Sequence, residues 1–585
     1  MSQAESMNEK KQKIVVYQLI TRLFGNTKTA NKPFGTIDEN GVGKFNDITD
    51  TALIELKKLG ISHVWYTGII EHAVLTDYTE FGIPLDDADV VKGRAGSPYA
   101  IKDYYDVNPD LATEVPSRMA EFEALVKRTH STGLKVLIDF VPNHVARAYF
   151  SDAKPNGISD FGADDDLTQN FSPQNNFYYL PNQAFQVPTD YLPLGDYYFP
   201  TKDGEFDEQP AKATGNDQFT ATPSKDDWFE TVKLNYGVDY QNGRSEHFEP
   251  IPDTWNKMLD ILKYWTEKGV DGFRCDMAQM VPVAFWNWVI PKIKAINPEI
   301  LFIAEIYEAD RYRQYLFDGK FDFLYDKVEL YDTLRHIVQG QASTDDITSI
   351  WQRQEGISQY MLRFLENHDE QRIASPFFAN DPMKAIPAMV VSATMHTGPV
   401  MIYFGQEVGE PGAGEAGFSG DDGRTTHFDY WGVPEHQKWM NEGKFDGGQL
   451  SDDQKKLRKT YSNILNLAKT NTAINSGEFY DLHYFNRSEN FTGYSNKVYA
   501  YLRYTDKERL LIVVNFSDQQ EECLIKIPKD AFERMGLEGS LNFTDVLGDD
   551  IFDATVELVA DHFETESLQL DLKENGWRIL SIANQ

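Results

Sequence analysis

Over roughly the first 470 residues, short runs rich in β-branched and aromatic side chains alternate with longer stretches whose apolar residues recur at helical spacing. The first kind fits strands buried on both faces, the second helices laid against a sheet. Eight strands are read in this way: Ile14–Ile20, Ile61–Thr67, Leu134–Val141, Val270–Asp276, Ile300–Glu305, Phe321–Tyr325, Tyr360–Glu366 and Pro399–Phe404. Helical patterns follow most of them, and two, Ser117–Gly133 and Asp253–Gly269, stop at glycine, as helices that end in a left-handed turn do. Eight strands alternating with helices predict an α/β protein with a (β/α)8 TIM barrel. A doubly wound open sheet is the competing architecture. No P-loop occurs, which removes support for its nucleotide-binding versions.

The alternation breaks between Val145 and Asn235. That stretch is rich in Asp, Asn, Pro, Gly and Tyr and is too long for an ordinary connection, so it reads as an inserted subdomain after strand three. After about Ser476 the pattern turns strand-like (Lys497–Tyr504, Leu510–Asn515, Cys523–Ile527, Leu568–Leu572, Trp577–Ser581), which predicts an appended antiparallel β-sandwich. The expected division is a barrel over 1–144 and 235–476, the insertion over 145–234 and the sandwich over 477–585.

Polar residues close several of the predicted strands. Strand three runs into Asp139-Phe-Val-Pro-Asn143-His144, strand four into Gly272-Phe-Arg274-Cys-Asp276, strand five into Ala304-Glu305, and strand seven into Glu366-Asn-His368-Asp369. In a barrel of this kind the C-terminal ends of the strands form the catalytic rim. One aspartate at a strand end is more often a cap or turn residue, and a lone histidine more often part of the framework. Four carboxylate-bearing ends in order are harder to explain that way, because a carboxylate closing an apolar run is costly to bury.

These blocks resemble the strand-end regions of the α-amylase family of glycoside hydrolases. Tyr99-Ala-Ile-Lys-Asp103-Tyr104-Tyr-Asp106-Val, Leu59-Gly60-Ile61 and Pro399-Val-Met-Ile-Tyr403-Phe404-Gly405-Gln406-Glu407 extend the likeness over roughly residues 14 to 410. The resemblance implies a retaining double displacement with Asp276 as nucleophile, Glu305 as acid/base and Asp369 as the assisting carboxylate. It places Tyr99, His144, Arg274 and His368 at the substrate, and leaves Asp139 and Asn143 to hold the strand-three loop. Arg274 is expected to keep Asp276 ionised, and the neighbouring carboxylates to raise Glu305. The chemistry needs no cofactor. A structural calcium is the one metal implied, with Asn143 as a candidate ligand; the loop Asp38-Glu-Asn40-Gly41 has oxygen donors beside glycine, as calcium loops do, and reads equally as an Asx turn. One departure is plain: many starch-cleaving relatives carry Lys-His where this chain has Gln279 and Met280.

Composition narrows the partners. With 56 basic and 91 acidic residues the net charge is −35, a field that repels nucleic acid and anionic lipid and suits a neutral substrate such as an α-glucan or malto-oligosaccharide. The two cysteines, Cys275 and Cys523, exclude a disulfide framework. Met1 to Lys13 is polar and lysine-rich, which does not read as a signal peptide and points to the cytoplasm; a mature exported form would read the same. Aromatics of residues 177–199 and Trp228-Phe229 are read as subdomain core or sugar subsites, and Asp421-Asp422-Gly423-Arg424 as a solvated loop bordering the cleft. Three functions stay open: a hydrolase, a transglycosylase or isomerase using the same covalent intermediate, and a non-catalytic glucan-binding protein. Linkage preference and oligomeric state are not legible.

Overall fold

The structure, a computed structural model, describes residues 12–189, 199–414, 420–487, 492–547 and 566–584, with the backbone of 558–559. The lysine-rich start over 1–11 and Tyr191, Tyr197 and Tyr198 lie outside the described residues.

Eight parallel strands form the central sheet: β1 (Val15–Ile20), β2 (His63–Thr67), β3 (Lys135–Phe140), β4 (Gly272–Cys275), β5 (Leu301–Ala304), β6 (Phe323–Tyr325), β7 (Met361–Leu362) and β8 (Val400–Tyr403). Each pairs with its sequence neighbour, and β8 returns to β1 through Val16↔Met401. The ring closes between β7 and β8. There Arg363 forms a parallel bridge with Val400, its N–H donating to Pro399 O (3.0 Å) while its carbonyl accepts from Met401 N–H (2.8 Å). Closure excludes the open doubly wound sheet. All six residues of β1 are buried, as a strand needs to be when side chains fill the barrel on one face and helices cover the other.

The helices form where the sequence repeats apolar residues at helical spacing. Helix α1 (Asp50–Leu59) starts with the Thr49 side chain accepting from Ala52 N–H and ends at Gly60, whose φ of 114° only glycine adopts readily. Helices α2 (Arg118–Ser131), α3 (Asp253–Glu267) and α4 (Val283–Lys294) follow β2, β3 and β4. Helix α3 turns Trp255, Met258, Leu262 and Trp265 inward, one face of the 3.6-residue period. Helix α5 (Asp452–Thr470) follows β8 and opens with a capping box of Ser451 and Gln454.

The insertion leaves and re-enters at one place: His144–Ala146 pairs antiparallel with Thr231–Lys233, in the register His144↔Lys233. It buries a small apolar cluster in which Leu180, Phe185, Ala211 and Ala221 pack with Val90 from outside the insertion. At the C-terminal end a six-stranded sheet and a two-stranded one (Glu521–Ile525 with Leu568–Leu572) enclose Leu502, Leu511, Val513, Cys523, Leu570 and Leu580. Their alternates on the same strands, such as Tyr501, Ile512 and Val514, pack with the barrel core, so the two-residue period joins the units. Among the described residues no helix is long and apolar enough to cross a membrane.

Candidate active site

Three carboxylates carried by different strands open into one cleft of about 860 Å³. Asp276 follows β4, its N–H bonded to Phe140 O (2.9 Å) at the end of β3. Glu305 follows β5, its N–H bonded to Cys275 O (3.1 Å). Asp369 lies seven residues beyond β7, where Asn367 Oδ1 accepts from its N–H (2.9 Å) and from that of Glu370 (3.0 Å). Tyr99, His144, Trp228 and Tyr307 also line the cleft.

Arg274 lies beneath the carboxylates, 1% exposed. Its Nη1 contacts Asp276 Oδ1 at 2.7 Å and Asp139 Oδ1 at 3.3 Å, and its Nη2 reaches Glu305 Oε2 at 2.8 Å. The rings of Trp65, Tyr99 and Tyr325 surround the guanidinium at 5.2–5.5 Å. Glu305 is held further by Met277 N–H to Oε2 and by the Tyr307 hydroxyl to Oε1, both at 2.7 Å. Met277 has a φ of 42°, a left-handed value uncommon for a side-chain-bearing residue, and this bend aims its N–H at Glu305.

One guanidinium faces more negative charge than it can neutralise. Burial pushes the carboxyl of Asp276 above its ordinary value, and Arg274 opposes that only in part. Arg274 lowers the Asp276 carboxyl as expected, and desolvation, which the sequence did not reveal, is the larger effect and works against it. Glu305 is raised by burial, opposed by Arg274 and reinforced by Asp276. Asp276 and Glu305 thus share one cation, Arg274, and burial raises both. Asp369 is raised furthest, by burial and then by Glu305, although its side chain keeps 34% exposure, so solvent tempers the first cause and like charge carries more of the shift. Burial lowers His368 well below the usual histidine value and His144 to about 4, leaving both neutral at pH 7.

Of the seven residues expected at the reaction or the substrate, Asp276, Glu305, Asp369, Tyr99 and His144 line the cleft. Arg274 and His368 do not; each is 1% exposed behind its wall. His368 Nδ1 faces the Gln18 amide nitrogen (2.8 Å), an N–H donor, so its Nε2 carries the proton toward Asp369 Oδ2 (3.1 Å) and the Tyr99 hydroxyl (2.6 Å). It orients Asp369 and Tyr99. Asp139 accepts from Trp65 Nε1 (2.9 Å), and burial raises it to about 7. Trp228 packs edge-on against His144 at 5.3 Å, whereas Phe177, Tyr178, Tyr179 and Phe229 are buried core away from the cleft. Of the loop after strand eight, Gly420 reaches the cleft wall, and Asp422 pairs with Arg424 at 3.2 Å.

Asn143 and Asn40, two of the expected calcium ligands, do not fit a divalent cation. Asn143 Oδ1 accepts from the ammonium of Lys233 (2.6 Å), a side chain 1% exposed that also meets Asp217 Oδ1 at 2.6 Å. A lysine thus fills the position facing Asn143, and an ion beside it would meet like charge. Asn40 is spent on backbone: its Oδ1 accepts from Lys32 N–H (2.9 Å) and its amide donates to Lys32 O and Tyr430 O (both 2.8 Å). The carbonyl of Asp38 accepts from the Lys28 ammonium.

Tyr307 escaped the sequence reading, and Gln279 was named there without a role. Tyr307 lies two positions after Glu305, the spacing at which side chains of an extended segment share a face, and that was the available signal. Gln279, noted as a departure, has Oε1 accepting from Tyr307 N–H (2.6 Å) and Glu308 N–H (3.2 Å), and so fixes the loop that carries Tyr307.

Known proteins resemble the chain over most of its length. The model of the α-amylase catalytic domain matches residues 30–477. α-Amylase 3 of Dictyoglomus thermophilum is 22% identical over 441 residues, 72% of this chain and 74% of its own length. A Bacillus cyclomaltodextrinase is 22% identical over 520 residues, 86% of this chain and 72% of its own. The solved maltogenic α-amylase AmyB of Thermotoga neapolitana superposes with a TM-score of 0.61 at 19% identity, covering 98% of this chain and 99% of that one.

Proposed function

The chain belongs to the α-amylase family, and on that premise we propose that it is a retaining glycoside hydrolase cleaving α-glucosidic bonds in starch-type α-glucans or malto-oligosaccharides. The observation that carries the reading is the convergence of Asp276, Glu305 and Asp369 on one cleft above a single buried arginine. In this scheme Glu305 delivers its proton to the glycosidic oxygen while Asp276 attacks the anomeric carbon, giving a glycosyl ester. Glu305, now ionised, takes a proton from water as the water oxygen displaces Asp276, and configuration is retained. Asp369 binds sugar hydroxyls, and Tyr99 offers a ring face to the pyranose. Arg274, within 2.8 Å of both reacting carboxylates, holds their separation and stabilises the charge on Asp276 when it leaves.

The same reading divides the chain near 144, 235 and 476, supported by the pairing of His144 with Lys233 at the ends of the insertion. Two buried thiols that form no disulfide, Cys275 and Cys523, support a cytoplasmic location.

The test is a product time course on starch, pullulan, a cyclodextrin and short malto-oligosaccharides, with anomers followed by NMR. Reducing ends appearing first as the α-anomer are expected; no product from any of them, or the β-anomer first, would overturn the reading. Products longer than the donor would assign the same intermediate to a sugar acceptor.

A further inference from the structure

Away from the cleft, where the insertion begins, three carboxylates meet. Glu71 lies on the short strand Ile70–His72, which pairs antiparallel with Ile101–Val107, and its partner across the ladder is Asp103. Asp152 arrives from the chain after Phe150, whose N–H bonds Lys102 O at 3.1 Å. One oxygen from each of the three lies within 4.8 Å of the others. That is the widest separation two oxygens can have around one ion with bonds of about 2.4 Å.

Glu71 and Asp103 are 2% and 0% exposed, while Asp152 opens to solvent. Like charges directly opposed across a ladder are destabilising, and burial sharpens the penalty. Among the described residues no lysine or arginine pairs with any of the three. The nearby cations are engaged elsewhere: Lys102 with Asp86 (3.1 Å), Lys154 with Asp160 (3.1 Å) and Arg118 with Asp106 (2.5 Å). Asp103 accepts from Ser151 Oγ (2.6 Å), Tyr105 N–H (2.8 Å) and Ala153 N–H (3.0 Å), which orient it. Glu71 Oε2 has no such support: it is sealed from solvent and accepts no hydrogen bond. A buried, unpartnered carboxylate oxygen beside two other carboxylates calls for a positive charge.

We propose that Glu71, Asp103 and Asp152 bind a calcium ion. Every donor is a carboxylate oxygen, which selects a hard cation over a transition metal, and the exposed side leaves room for water ligands. The ion ties the loop after β2 to the first turn of the insertion, fixing the strand that begins two residues after Tyr99. The site is separate from Asn143, where Lys233 stands.

The test is a calorimetric titration of the chelator-treated full chain with CaCl2, with thermal unfolding alongside. One saturable binding event and a higher Tm are expected. Asp152→Asn, an exposed change that leaves the fold intact by circular dichroism, weakens binding at least about tenfold, and Glu71→Gln abolishes it. No binding, or binding that both variants retain, would overturn the proposal. So would a wild type that ignores calcium together with an apo Tm raised in Glu71→Gln, because a proton shared by Glu71 and Asp103 would then stand in the ion's place.

Discussion

Two arginines are buried at the C-terminal rim of this barrel, and they serve different ends. Arg372 is 0% exposed and tied to the framework: Nη1 donates to Glu366 Oε2 (3.0 Å) and Phe404 O (2.7 Å), and Nε to Thr425 Oγ1 (3.0 Å). Glu366 in turn accepts from Ile373 N–H (2.6 Å), and burial pushes it up to about 7. Arg274 is equally buried but faces Asp139, Asp276 and Glu305 together, and two of those three line the cleft. Glu366 and Asp369 are three residues apart in the chain, yet one is sealed in the framework and the other faces the substrate space. A raised carboxyl pKa is common to both centres and does not mark catalysis. What separates them is access to the cleft: Asp276 and Glu305 line it and Glu366 does not.

The widest separation between the two centres should appear in turnover. Asp276→Asn is expected to lower kcat/KM by about 10⁴-fold or more with no loss of Tm, measured by reducing-sugar release and calorimetry. At the other centre, Arg372→Met leaves Glu366 buried without its cation and should lower stability by about 3–5 kcal/mol, read from urea unfolding, while the folded fraction keeps its specific activity. Loss of activity without loss of stability in Arg372→Met would erase the distinction.

Tyr307→Phe addresses the proton on Glu305. The phenol donates to the carboxylate and holds its pKa down; without that donor Glu305 stays protonated to higher pH. The basic limb of the kcat/KM profile should therefore move upward, and an unmoved limb would show that another group controls it. The smallest effect is on stability. Asp369 titrates above its unfolded value, so the native state binds more protons than the unfolded chain between the two pKa values, and stability falls as pH rises through that window. Asp369→Asn removes this penalty. Its Tm should exceed that of the wild type at pH 7, and the gap should close on acidification below the ordinary aspartate value of about 4.

Much of this was legible in the sequence because the barrel imposes strong patterns. Strands such as β1 and β3 are buried on both faces and read as unbroken apolar runs, and α3 ends close to its glycine. Strand β7 was legible only in part: a strand predicted over Tyr360–Glu366 pairs at Met361–Leu362 and bridges at Arg363, because the chain then leaves the sheet to carry Asp369 over the cleft. The order of carboxylates at strand ends revealed the site, since acidic residues closing apolar runs are visible in one dimension. The placement of Arg274 and His368 behind the wall was not visible, nor the grip of Tyr307 on Glu305, nor the meeting of Glu71 with Asp152, 81 positions apart. The placements of Arg274 and His368 and the meeting of Glu71 with Asp152 arise from tertiary packing, which no period in the chain encodes, whereas the spacing of Tyr307 from Glu305 carried a faint signal.

Lys233 has a consequence for how the protein meets its surroundings. A charge borne on the polypeptide cannot be stripped from the root of the insertion by a sequestering agent, nor diluted out of it. Any effect of such agents on this enzyme must enter elsewhere, and among the described residues the acidic trio proposed at Glu71 is where it should register.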